Sequence, residues 1–327
     1  MRRGVLLLLT VLVPATPATA QLLEADHLTT VAFAGLDRAR TAVIVPGGIL
    51  EQHGPYLPAA SDTYQARWLA DALARHIAAR PGGWTALLLP MIPLGQGGAN
   101  DIVRAWTYPG SVTIRSETLR AVYMDLADAL GEHGFTYVFL VHVHGAPMHN
   151  QMLDQASAYF SETWGGTMVH LMGLKTVVER ADAALAQLPE AARAADGFTV
   201  HAGLSESSRV LFVAPSLVEP GLFSAPPLTA TDFPDLERLG RTDAWKGYWG
   251  APAGSSVALG AALLEGTAAE IAAVADAVLD GRPFARDPFY VESLMDPADV
   301  AISRDTESRE RQQAARQRRW LAAQGID

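Results

Sequence analysis

Between residues 41 and 172, apolar runs of strand length alternate with longer amphipathic segments, and few architectures accommodate that order. A short continuous apolar run must be covered on both sides, whereas an amphipathic stretch buries one face. Repeated in turn, they form βαβ units around a mainly parallel sheet. Residues 41–46 (TAVIVP) give the first strand, 85–92 the second, 137–142 (YVFLVH) the third and 167–172 the fourth. Helices are predicted over 62–79, over 116–133 with Ser116 as N-cap, over about 148–163, over 176–195 and over 257–279, the last rich in alanine. Dense prolines between 215 and 234 predict an irregular excursion. With no internal repeat or low-complexity linker, residues 21–327 read as one domain.

The first twenty residues stand apart. Arg2 and Arg3 precede an apolar run over 4–13, and 14–20 ends in Ala-Thr-Ala, the three-part pattern of a secretory leader cut between Ala20 and Gln21. The apolar run is about half the roughly 20 residues a membrane span needs. A periplasmic or secreted protein, not held in a membrane after cleavage, is therefore expected. Losing Arg2 and Arg3 removes two of 25 basic residues against 35 acidic ones and takes the net charge from −10 to −12. Such a balance offers nothing to neutralise phosphates, so nucleic acid is not expected as a partner. The one basic cluster, 304–319, is interrupted by Glu and Gln and reads as a solvated terminal helix. There is no cysteine, which excludes disulfides, thiolate metal ligands and a cysteine nucleophile.

Three clusters carry candidate chemistry. The first strand runs into Gly47-Gly48-Ile49-Leu50-Glu51-Gln52-His53-Gly54-Pro55, and Ser61-Asp62-Thr63 opens the next helix. Loops at the carboxyl ends of strands build the site in open α/β sheets, and this one delivers Glu51, His53 and Asp62 there. Oxygen and imidazole ligands without sulfur suit zinc, manganese or ferrous iron. So short a spacing also occurs as a loop charge beside a helix cap. The second cluster, His142-Val143-His144 with His149, places three histidines at the end of a buried strand, where a ligand, a base or a substrate contact is more useful than packing. Alternation puts His142 and His144 on one face. The third is His201-Ala202-Gly203-Leu204-Ser205-Glu206, where Glu206 reads equally as a ligand or as an acid favoured at a helix N-terminus.

In this order the blocks resemble the creatininase (creatinine amidohydrolase) family. Glu51-Gln-His-Gly-Pro-x-Leu-Pro-x-x-Ser-Asp62-Thr is similar to its EQHGPHLPxxTDT, Tyr108-Pro-Gly-Ser111 to FPGT, 141–146 to NGHGG, His201-Ala-Gly-x-x-Glu206-Ser-Ser to HAGxxETS, and 247–265 to its glycine-rich tail. The resemblance implies a three-layer α/β/α sandwich, a homohexamer, and one or two divalent ions that activate water, zinc first with manganese or iron as alternatives. It implies that Glu51, Asp62 and His144 hold one ion, that His53 and Asp62 share a second, and that His201 transfers protons. The family's second-ion glutamate corresponds here to Ala146, and Glu206 is the candidate replacement. The flanking asparagines of NGHGGN are absent and the tryptophans that hold creatinine do not align, so the expected substrate is a small amide other than creatinine. His142, His149 and Trp106 are candidate substrate contacts, with Trp245 and Trp249 as pocket or core residues.

The expected protein is thus an exported metal-dependent amidohydrolase cleaving a C–N bond of a small amide, cyclic amide or formamide. A degenerate periplasmic binding protein of the same fold is the alternative. Gly203-Leu204-Ser205-Glu206-Ser207 faintly resembles a serine nucleophile elbow but lacks its final glycine and its preceding buried strand.

Overall fold

The computed structural model describes residues 20–326; the expected leader lies almost wholly outside them. Five strands form one sheet: β1 (Gln21–Glu24), β2 (Thr41–Gly47), β3 (Thr85–Leu88), β4 (Tyr137–His142) and β5 (Thr167–His170). Their order is β1-β3-β2-β4-β5, and every pairing is parallel. Eleven helices connect and cover them: α1 (Thr30–Ala34), α2 (Ser61–Ala78), α3 (Ser116–Glu132), α4 (Pro147–Trp164), α5 (Lys175–Leu185), α6 (Glu190–Asp196), α7 (Leu204–Val213), α8 (Phe233–Gly240), α9 (Val257–Leu279), α10 (Tyr290–Ser293) and α11 (Pro297–Ala323).

Alternation along the strands sorts the core into two layers. Ala42 and Ile44 of β2, with Phe139 and Val141 of β4, face Leu69, Leu73 and Ile77 of α2 and Leu264, Ile271 and Val278 of α9. Val43 and Val45, with Val138 and Leu140, face Leu119 and Tyr123 of α3 and Leu153 and Phe160 of α4. The sandwich therefore has three layers, α/β/α. Helix α9 is long and apolar enough to cross a membrane by composition, but one side of it packs on α2, α5 and α7. Its Gly260 is required there, because a Cβ would lie 1.9 Å from the Ser208 carbonyl oxygen.

The crossovers leave β2 and β4 in opposite directions: β2 continues through α2 to β3 on one face, β4 through α4 to β5 on the other. The carboxyl ends of these neighbouring strands thus part company and open a crevice, the usual ligand position of an open α/β sheet.

Several boundaries differ from expectation. The sheet gains β1, an edge strand whose two leucines are too few to stand out as an apolar run. The segment predicted over 85–92 pairs continuously only to Leu88 and touches β2 once more at Ile92, and that over 167–172 pairs to His170. The helix expected over 176–195 is two, broken ahead of Pro189, which cannot continue a helix. Ser116 is the first residue of α3, after Arg115 at the N-cap, and its hydroxyl instead donates to Glu310.

Candidate metal centre

Glu51 and His53 sit on the loop leaving β2, Asp62 in the first turn of α2, His144 two residues beyond β4, and His201 and Glu206 around the start of α7. Far apart in sequence, they converge. His144 Nδ1 lies 3.2 Å from Glu51 Oε2 and 3.2 Å from Asp62 Oδ2. His53 Nε2 lies 3.5 Å from Asp62 Oδ1 and 3.9 Å from Glu206 Oε1. Asp62 thus turns one oxygen towards each imidazole. Two overlapping triads result, Glu51–Asp62–His144 and His53–Asp62–Glu206, each with its ligand atoms within 4.8 Å of one another. A third set, Glu51–His53–His201, meets the same limit.

Backbone carbonyls fix the three rings. His53 Nδ1 donates to the Glu51 carbonyl at 2.9 Å, His144 Nε2 to the Gly97 carbonyl at 2.8 Å, and His201 Nε2 to the Gln52 carbonyl at 2.6 Å. A carbonyl only accepts, so each ring turns its other nitrogen into the cluster, as a metal-ligating histidine does. Glu51 and Glu206 are steadied by the backbone N–H groups of Ala99 and Ala202. Ala202 adopts a left-handed φ of 52°, which folds His201 back towards Glu206, and non-glycine strain of this kind concentrates at functional sites. The Tyr108–Ser111 motif buttresses the same loop, for Ser111 Oγ accepts from the Gln52 N–H and donates to Asn100 Oδ1.

The donor set fits a divalent cation. Glu51 Oε2, His53 Nε2 and Asp62 Oδ2 are buried without a hydrogen-bond partner, which is costly unless something else occupies the space between them. Without a cation, protons take its place. Burial disfavours charge on His53, yet Asp62, Glu206 and Glu51 outweigh it and raise its pKa to about 10. Burial likewise opposes a charged His144, and Glu51 and Asp62 push it well above the usual imidazole value. Desolvation resists ionising Glu51 and Asp62, but the surrounding imidazoles hold both below the ordinary carboxyl range.

The cluster floors a cavity of about 320 Å³. His201 and Glu206 line it, as does Ala146, which has no carboxyl to offer. His142 and His149 do not line it: both are fully buried, and the expected substrate contact is corrected by this placement. His149 Nδ1 accepts the Gln96 N–H at 3.2 Å, so its Nε2 carries the proton and donates to His142 Nδ1 at 3.0 Å. Burial first, then neighbouring imidazoles, holds both rings neutral. Their role is to brace the Gln96–Gly97 turn whose carbonyls hold His144. Trp106 is also displaced from its expected role; it lines a separate cleft, where the Arg309 guanidinium stacks on it at 5.2 Å. Trp245 and Trp249 pack in the core.

Several lining residues escaped the sequence reading, Asp101 among them. Burial, countered by Arg309, raises Asp101 to about 7. Its only signal in sequence is its place in a glycine-rich stretch, Gly97-Gly98-Ala99-Asn100-Asp101.

Residues 26–275 match the creatininase (creatinine amidohydrolase) family, well over half of the sequence. The chain belongs to this family. A zinc–zinc form of a creatininase point mutant shares 19% identity with a TM-score of 0.55, covering 80% of this chain and 98% of that one. A manganese creatininase shares 21% with a TM-score of 0.55, covering 80% and 99%. At these identities the likeness establishes the creatininase fold. The mycofactocin precursor peptide peptidase of Mycobacterium ulcerans (strain Agy99) is 27% identical over 188 residues, 54% of this chain and 60% of that protein. The match thus spans under two thirds of the relative's length.

Proposed function

We propose that this creatininase-family chain is an exported hydrolase of small amides that works with two divalent ions, zinc first and manganese or iron as alternatives. The observation that carries the reading is that Glu51 Oε2, His53 Nε2 and Asp62 Oδ2 are buried without hydrogen-bond partners within two donor triads, Glu51–Asp62–His144 and His53–Asp62–Glu206, that share Asp62. Bound there, divalent ions would lower the pKa of a water from about 15.7 to about 7 and polarise a carbonyl. Glu51, Asp62 and His144 would hold one ion, and His53, Asp62 and Glu206 the other, with Glu206 supplying the carboxylate that Ala146 lacks.

The protein's own groups supply the rest. His201 presents Nδ1 to the cavity, 3.8 Å from both Glu51 Oε1 and Glu206 Oε2, where it would take the proton released by the attacking water and pass it to the departing nitrogen. Phe198, Val200 and Phe233 line the cavity with apolar side chains, which would limit water around the reacting bond. A serine mechanism has less support, since no histidine hydrogen-bonds Ser205 among the described residues and the Ser207 and Ser208 hydroxyls donate to the Ala202 and Leu204 carbonyls. Export rests on the leader pattern. N-terminal sequencing of the mature protein checks the cut, and light scattering checks the hexamer that the family suggests.

Elemental analysis of the purified protein tests the reading, followed by hydrolysis of cyclic amides, formamides and short peptides with and without chelator. Metal-free protein, or hydrolysis indifferent to chelator, would sink it. Stoichiometric metal without turnover of any amide would favour the binding-protein alternative.

A further inference from the structure

The family match ends at residue 275, yet part of the cavity wall lies beyond it: Phe289, Ser293, Asp299, Ile302, Ser303 and Thr306. The last four recur at helical spacing on α11 and form one stripe. Helix α11 is therefore more than the solvated tail its charged sequence suggests. Glu310, further along, accepts from the Ser116 N–H at 3.1 Å and hydroxyl at 2.8 Å, and from Gln96 Nε2 at 3.2 Å. Gln96 belongs to the turn that holds His144, so the added helix is tied directly to the frame of the cluster. Asp305 fixes the next stretch by accepting from Arg104 at 2.9 Å.

The wall has a definite chemistry. Away from the candidate ligands and His201, the cavity presents Phe198, Val200, Phe233 and Ile302 together with the carboxyls of Asp101 and Asp299, and among the described residues no lysine or arginine lines it. An anionic substituent entering there would lose its water without gaining a cationic partner, whereas an apolar one would gain burial. We propose that the C-terminal helix pair α10–α11 is the specificity wall of the pocket, and that it admits amides whose substituent is apolar and carries no negative charge. The proposal rests on the cluster being a metal centre.

Hydroxamates that chelate the ion while projecting different tails test it. Acetohydroxamate, phenylacetohydroxamate and the monohydroxamate of succinate would be titrated calorimetrically into the zinc-loaded protein. The phenyl tail should bind at least about tenfold tighter than the carboxylate tail. Ile302→Ala should erase about fivefold of that advantage, and Ser303→Arg should shift preference towards the carboxylate by a similar factor. Ser303 is half-buried, so its variant keeps the test open if Ile302→Ala fails to fold. Equal affinity for the two tails, or a phenyl advantage unchanged in a folded variant, overturns the wall. Retained zinc with acetohydroxamate binding shows that such a failure is the wall's alone; absence of both would overturn the metal centre and the wall together.

Discussion

At the proposed metal centre protons and cations would compete for the same nitrogens, so the metal-free and metal-loaded proteins should diverge in stability as pH rises. The perturbation is chelation. In the stripped protein burial disfavours a charged His53, but Asp62, Glu206 and Glu51 outweigh it and raise its pKa to about 10, and a cation binds only after that proton leaves. A raised imidazole pKa stabilises the stripped fold fully below the unfolded value of about 6.5, and that contribution is lost as pH climbs to about 10. The metal-loaded protein carries no such proton. Across two units inside this window, from pH 7 to pH 9, His53 alone should tighten apparent metal binding about 100-fold, or about 2.7 kcal/mol. His144, shifted in the same direction, adds to it. For a chain of this size the gap in melting temperature should widen by on the order of 5 °C. Differential scanning calorimetry of both forms reads it directly, because groups elsewhere titrate in both and cancel. A gap that stays constant or narrows between pH 7 and pH 9 refutes the reasoning.

Three substitutions follow from the same geometry. Asp62→Ala removes the carboxylate that faces both imidazoles, so affinity for both ions should fall by more than the about 100-fold typical of losing an outer hydrogen-bond partner; stoichiometric metal by mass spectrometry would contradict its place. Glu206→Gln should lower bound metal from about two ions per chain to about one, and unchanged content would remove Glu206 from the ligand set. His201→Asn should reduce turnover about 10² to 10⁴-fold with metal content intact. Loss of metal in that variant would make His201 Nδ1 a ligand, as its distance from Glu51 also permits.

The parallel sheet was legible because β2 and β4 are covered on both sides and so read as unbroken apolar runs, TAVIVP and YVFLVH. Helix α9 was legible end to end, with Ser256 as a true N-cap whose hydroxyl accepts the Leu259 N–H. Strand β1 was not, because an edge strand needs only one neighbour and carries only Leu22 and Leu23. The role of α11 was hidden for a related reason. Only Ile302, Thr306 and Ala314 are buried along it, too few to outweigh its charged residues in a reading of composition.

The converging cluster was legible for a different reason: charged and imidazole donors of the kind a cation would need stand out at the ends of apolar strands. Glu51, His53, Asp62 and His144 all fall there, and their resemblance to the creatininase blocks fixes their order. Residue type could not separate His144 from His142 and His149, however. Alternation suggested that His142 and His144 share a face, but β4 ends at His142 and the chain turns away before His144. One ring consequently points into the core and the other into the cavity. The difference lies in what each second nitrogen meets: a carbonyl for His144, which leaves Nδ1 facing carboxylates, and buried surroundings for His142, whose Nδ1 accepts from His149. His144 is aimed at the carboxylates through the carbonyl that fixes its ring, and that carbonyl comes from the Gln96–Gly97 turn more than forty residues upstream.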